Sequence, residues 1–389
     1  MNHNYKQLPF ILASAIAQQA SDVIIKVNLP PMIKVAGTWT PLPDAPVFFL
    51  NDVSAVAEEF LGRLPDDKRS VYETNAGAVD LGIDYDEGLV SSLVETTPPE
   101  EIGDLAEQLT ALPNYRFRVN VFKASGIPEI VIRVLNNGFL RSIDSIGLPK
   151  GILAPLSRKK GFIIVTGATG SGKSTTLAAM IDHINNEREA HVISIEDPIE
   201  YFHTSKKSII TQIEVGRDTS SFNQALRSAM RQAPDVIMVG ELRDRDSVSS
   251  AISAAETGHL VLGTLHTNSA VETVSRLVDF FPADHHDQIS SQLSATLAMI
   301  ISQDLIPAAD GKRRVLAYEI LANSIPVATS IRERSMNNLA RALADRSDGL
   351  TIEKERTLAN LVRNGTITAE TALAHANDPK RLKDLLGGL

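Results

Sequence analysis

Gly167-Ala168-Thr169-Gly170-Ser171-Gly172-Lys173-Ser174 matches the phosphate-binding loop pattern G-x-x-x-x-G-K-[ST] in full. The apolar run Gly161-Phe162-Ile163-Ile164-Val165-Thr166 leads into it and reads as a buried parallel strand. Thr175 through Ile184 follows, with Leu177, Met180, Ile181 and Ile184 at helical spacing. Strand, loop and helix therefore stand in the order that the motif needs. Glycines let backbone N–H groups curl around an anion, and the helix N-terminus adds partial positive charge. The expected nucleotide contacts are Gly167, Thr169, Gly170, Ser171, Gly172, Lys173, Ser174 and Thr175. Lys173 is placed to reach the β- and γ-phosphates and Ser174 to hold Mg²⁺. The expected ligand is a nucleoside triphosphate.

Composition sets the frame for that loop. The chain has 389 residues, long for one domain, with 43% hydrophobic and 22% charged residues as in ordinary globular proteins. A net charge of −9 argues against a surface built mainly for nucleic acid. There is no cysteine, which excludes disulfides, thiolate catalysis and Cys-type zinc sites, and fits a reducing cytoplasm. Leu8–Ala17 imitates the apolar core of a signal peptide, yet Leu8, Ile11, Leu12, Ala15 and Ile16 fall on one face of a helix. A folded first helix is the expectation. No run approaches the roughly 18 apolar residues of a membrane span.

Residues 1–136 read as a smaller α+β domain. Asp22–Val27 and Met32–Gly37 flank Leu29-Pro30-Pro31 as a hairpin. Further strands are expected at Ala78–Asp84, Arg116–Phe122 and Ile130–Val134. A helix is expected from Thr97, a plausible N-cap with acids in the first turn, to about Leu112. Residues 137–149 read as a linker, and 150–308 as an ATPase core in which strands alternate with helices around a mostly parallel sheet. From 309 to 389 the pattern is mainly helical and polar.

Two more strand ends carry acids. Val192-Ile193-Ser194-Ile195 runs into Glu196-Asp197-Pro198-Ile199-Glu200, and Asp235–Val239 into Gly240-Glu241-Leu242-Arg243-Asp244. In an open α/β sheet these ends face the ligand crevice, so Glu241 stands where an acid can polarise water or ligate Mg²⁺ through water. Strand-end acids also cap the following helix. His259 and His266 bracket the apolar strand Leu260–Leu265, and a histidine beside a strand is commonly a core residue with its hydrogen bonds satisfied. Polar clusters at consecutive strand ends, all downstream of one phosphate loop, are the pattern of a shared site.

These residues carry a resemblance. Glu196–Glu200 resembles the Asp box of the secretion and traffic ATPases, Val239–Asp244 their Walker B segment, and Thr257–Thr267 their His box. Ala20-Ser21-Asp22, Leu29-Pro30-Pro31, Arg116–Asn120 and Gly365-Thr366-Ile367 resemble the type IV pilus retraction (PilT-like) branch. The resemblance implies a RecA-like P-loop core, a PAS-like α+β N-terminal domain and a helical C-terminal region. It implies Glu241 and Glu200 in water activation, His266 as γ-phosphate sensor, and Arg118 and Arg133 as N-terminal arginines reaching the γ-phosphate. Strand pattern alone makes those two arginines solvated sheet residues.

The resemblance further implies ATP and Mg²⁺ as cofactors and a cytoplasmic homo-hexamer. Its place would be the inner-membrane face of a pilus or secretion machine, on a platform protein, with no direct nucleic-acid partner. The implied function is ATP hydrolysis driving pilus retraction. A traffic ATPase of type IV secretion or conjugation shares the same boxes, and a RecA-like nucleic-acid motor is a third reading. The chain departs from the family at Asp86–Leu112, which is longer. The retraction motif is only partly kept, at Val327–Glu333, and the Cys₄ zinc module of assembly-type relatives is missing.

Overall fold

Alternation with a period of two organises the larger sheet. Along β7 (Gly161–Thr166), β8 (His191–Glu196), β10 (Val236–Val239) and β11 (Leu260–Leu265), successive side chains enter two different cores. Phe162, Ile164, Ile193, Ile195, Ile237, Val239 and Val261 pack on one side. Ile163, Val165, Val192, Val236, Met238, Leu260 and Leu262 pack on the other. Both faces are covered, so these strands read as continuous apolar runs.

The computed structural model describes residues 8–85, 115–135 and 142–387, apart from positions 19, 36, 44, 63, 65, 75–76, 312 and 346–347. The chain divides into two compact units, Met1–Phe139 and Leu140–Leu389. The helix expected from Thr97 and the long segment Asp86–Leu112 lie outside the described residues.

In the first unit, strands β1 (Asp22–Ile25), β2 (Met32–Val35), β3 (Thr38–Pro41), β4 (Val79–Tyr85), β5 (Tyr115–Ala124) and β6 (Ile127–Leu135) form an antiparallel sheet ordered β3-β2-β1-β6-β5-β4. The expected hairpin around Leu29-Pro30-Pro31 is present as β1–β2. One face carries the core. Phe117, Val119 and Val121 are buried, as are Ile130 and Ile132, while Arg118 and Arg133 point to the other side. Ser125 and Gly126, both at positive φ (54° and 78°), close the β5–β6 hairpin with a two-residue turn whose twist suits the strands. The first helix, Leu8–Ala17, buries Leu8, Ile11, Leu12, Ala15 and Ile16 in this core. β3 was not foreseen in the sequence. Its residues are all exposed at a sheet edge, so no burial pattern announces it.

In the second unit the sheet order is β13-β12-β7-β11-β10-β8-β9, with β9 spanning Ile209–Glu214, β12 Leu297–Pro307 and β13 Arg314–Ala322. All neighbours are parallel except β12 and β13. β13 is a strand within 309–389, the stretch expected to be mainly helical. Nine residue pairs with β12 override that local pattern. Helices resume at Ile325–Arg332, and Lys354–Arg363, Ala369–His375 and Pro379–Leu386 form a small core of their own on β12 and β13. Among the described residues no helix is long and apolar enough to cross a membrane.

Leu12→Ala is expected to cost about 2–5 kcal/mol, as for other large-to-small changes at fully buried sites. The check is the urea midpoint followed by Trp39, the one tryptophan in the chain and part of the same unit. An unchanged midpoint would remove the first helix from that core.

Candidate nucleotide-binding and hydrolysis site

Parallel register delivers the site. Thr166 at the end of β7 lies opposite Leu265 of β11, and β10 and β8 end beside them. The segments after these strands therefore meet at one sheet edge, where such folds take ligands. Short bonds lock the strand ends together. Thr166 Oγ1 donates to Thr267 O at 2.7 Å and accepts from Thr267 N at 3.0 Å. Thr264 Oγ1 donates to Gly240 O.

Between β7 and the helix Lys173–Glu187 the loop turns with Gly167, Gly170 and Gly172 at φ of 146°, 80° and 89°. Gly167 has no alternative. A Cβ there would sit 2.2 Å from Gln303 O and 2.6 Å from Ser171 Oγ. Ser171 Oγ is buried and makes no hydrogen bond among the described residues. Thr169 and Gly170 are exposed at the tip, and Ser174 is half-buried in the first helical turn. Thr175 Oγ1 pairs with Tyr201 OH at 2.8 Å. Bare backbone, an unused buried hydroxyl and a helix N-terminus make a cradle that fits phosphate oxygens.

Lys173 Nζ donates to Gly167 O at 2.8 Å and Ala168 O at 3.0 Å, and lies 3.4 Å from His266 Nδ1. Burial pulls the Lys173 pKa down from the usual lysine value, and the charges of Glu241 and Glu200 oppose that pull. His266 Nε2 lies 3.4 Å from Glu241 Oε1. An ammonium only donates, so Nδ1 facing it is the acceptor and Nε2 carries the hydrogen toward Glu241. Glu241 Oε2 also meets Arg243 Nη2 at 2.7 Å, and Arg243 Nη1 stands 3.7 Å from Asp197. Lys173, His266, Glu241, Arg243 and Asp197 thus form one chain of charged and polar contacts. Glu200 is half-buried nearby and acts on Lys173 through its charge.

The other histidine and acids have structural roles. His259 sits at the far end of β11, its Nδ1 2.9 Å from Ala254 O. Asp244 is the helix cap, accepting from Ser247 N at 2.8 Å. Arg118 and Arg133 belong to the first unit, where they are directly opposed on β5 and β6. Arg133 Nε lies 3.1 Å from Asp22 and Arg118 Nε 3.8 Å from Asp80.

Sequence reasoning missed two members of the site. Arg243, inside the Walker B stretch, fixes the Glu241 carboxylate. Gln303 on β12 donates from Nε2 to Ser171 O at 2.7 Å and accepts from Thr176 Oγ1 at 2.9 Å. Its signal was available, as Ser302-Gln303-Asp304 interrupts an otherwise apolar run.

Burial pushes the Glu196 carboxyl up to about 7, although Ser194 and Gln212 donate hydrogen bonds to it. A folded-state value above the ordinary 4.5 means that the native protein holds this proton more tightly than the unfolded chain. Its contribution to stability is complete below pH 4.5 and is lost as pH rises through about 7. Glu196→Gln is therefore expected to change the thermal midpoint little at pH 5 and to raise it at pH 8. Circular dichroism melts at both values check this, and an equal difference at the two pH values would contradict it.

Comparison with known proteins extends the same reading over the chain. A family model described as type II/IV secretion system protein matches residues 103–371. Over 370 residues the chain is 37% identical to the type IV pilus retraction ATPase PilT of Pseudomonas aeruginosa, covering 95% of this chain and 98% of that one. It is 44% identical over 272 residues to a twitching motility protein of Neisseria gonorrhoeae, covering 70% and 72%. The solved structure of the pilus retraction motor PilT with bound ADP superposes with a TM-score of 0.82 at 38% identity, covering 97% and 99%. The ATPase DotB of Legionella pneumophila, at 24% identity and a TM-score of 0.72 over 94% of each chain, shares the fold. With a RecA-like core under its phosphate loop, the chain belongs to the type II/IV secretion ATPase family.

Proposed function

We propose that this chain is the ATPase of a type IV pilus machine and that it drives pilus retraction. The observation that carries the reading is the end-to-end likeness to a protein named for that activity, 37% identical over 95% of this chain and 98% of its own. The intact set Lys173, Glu200, Glu241 and His266 supports turnover at that site. The fold likeness to DotB is compatible with a secretion ATPase, but no residue of the site favours that reading. By analogy with the family the working form is a homo-hexamer in the cytoplasm, held at the inner-membrane face by a platform protein.

Hydrolysis then proceeds by positioning and charge, as phosphoryl transfer requires. The loop N–H groups and Lys173 hold the β- and γ-phosphates. Ser174, with Glu241 through water, would hold Mg²⁺, which neutralises phosphate charge when bound. Glu241, oriented by Arg243 and His266, takes the proton of the attacking water, and Glu200 aligns that water. His266 bridges Lys173 and Glu241, so loss of the γ-phosphate changes what the imidazole faces. Arg118 and Arg133 stand opposite each other on β5 and β6, each beside an acid, Asp80 and Asp22. We assign them to the transferred phosphoryl group, where their paired charge becomes useful.

Glu241→Gln is expected to keep ATP binding and lose about 10²–10⁴-fold of steady-state hydrolysis, the usual contribution of a positioned base. Turnover near the wild-type rate would remove Glu241 from that role. Arg133→Ala is expected to lower hydrolysis by about 10³-fold, the scale of an arginine serving phosphoryl transfer. An equal rate in a coupled-enzyme assay would return Arg133 to its ion pair with Asp22 alone.

A further inference from the structure

Three polar residues in succession break the apolar pattern of β12, and each holds a different segment. Ser302 Oγ donates to Asn268 O at 2.9 Å, just beyond the His box. Gln303 holds the phosphate loop at Ser171 O and the first helix turns at Thr176. Asp304 Oδ2 accepts from His375 Nδ1 at 2.8 Å and lies 3.6 Å from Lys354 Nζ. Both partners belong to the C-terminal helices. On β13, Glu319 lies directly opposite Ser302 and accepts from Ala270 N at 2.7 Å, where the helix after the His box begins.

Burying polar groups is costly unless their hydrogen bonds are made, and here they are made to functional segments. The strand period sends Gln303 and Asp304 to opposite faces. One residue grips the phosphate loop and its neighbour grips the C-terminal helices. Backbone contact reinforces the grip, because Gly167 approaches Gln303 O too closely for any side chain.

We infer that β12 is a positioning element for the ATP site. Gln303 holds the phosphate loop in its binding shape, and Asp304 with His375 ties that hold to the C-terminal helices. The inference rests on reading Gly167–Ser174 as an ATP site. The C-terminal helices then affect nucleotide affinity without touching the nucleotide.

The test uses the full-length chain, a fluorescent ADP analogue and steady-state ATPase assays. Gln303→Ala is expected to raise the Kd for the analogue and the KM for ATP by about tenfold, the scale of two lost hydrogen bonds, with a much smaller change in kcat. Gln303→Glu keeps an acceptor for Thr176 but cannot donate to Ser171 O and sets a carboxylate oxygen against it, so it also weakens binding. His375 is partly exposed, and His375→Ala is expected to weaken binding about threefold, an effect that disappears in the Gln303→Ala background. Wild-type affinity in Gln303→Glu or His375→Ala would overturn the inference, as would an equal His375 effect in both backgrounds. Failure of the wild-type chain to bind the analogue would instead overturn the ATP-site reading.

Discussion

Everything at this site depends on bare backbone passing close to β12. Gly167 lies where a single added carbon would come within 2.2 Å of Gln303 O, so the chain leaves β7 along a path open only to glycine. That path aims the following residues at the sheet edge and starts the helix Lys173–Glu187 at the same place. The parallel register then brings the ends of β11, β10 and β8 to the same edge. His266 and Glu241 are near Lys173, and Asp197 near Arg243, because the strands beneath them are in register, with no long loop needed to bring them together.

Charge is distributed along that edge so that no group stands alone. Lys173 bonds to its own loop carbonyls and faces His266. Glu241 is shared between His266 and Arg243, and Arg243 between Glu241 and Asp197. A chain of this kind responds as a unit when an anion enters at one end, because each partner's orientation depends on the next. In the proposed ATPase this chain would give the nucleotide a route to Glu241 that runs through the imidazole of His266.

The legible parts of the fold were those announced by pattern. The strand–loop–helix at 161–184, the helical face of Leu8–Ala17 and the β1–β2 hairpin follow from local periodicity and turn chemistry. β13 did not, because its strand state comes from pairing with β12 and its local sequence suits helix equally well. β3 did not, because an exposed edge leaves no alternation to read. At the site, the strand-end acids and His266 were visible as types at expected places. Arg243 was passed over although it stands two residues from Glu241, and Gln303 showed only as a polar break in β12, since its partner Ser171 lies 132 residues away. His259 and Asp244 show the converse, where a reactive residue type at a strand end proved to be a helix cap or a half-buried group bonded to a nearby backbone carbonyl.

Isothermal titration of ADP into Gly167→Ala full-length protein tests the central claim most directly. A cooperative thermal transition by far-UV circular dichroism, with the amplitude and midpoint of the parent protein, confirms that the unit carrying Gly167 is otherwise folded. The account predicts that binding is lost, because the loop can no longer pass β12 in the shape that cradles phosphate. Binding of ADP with wild-type affinity would contradict it.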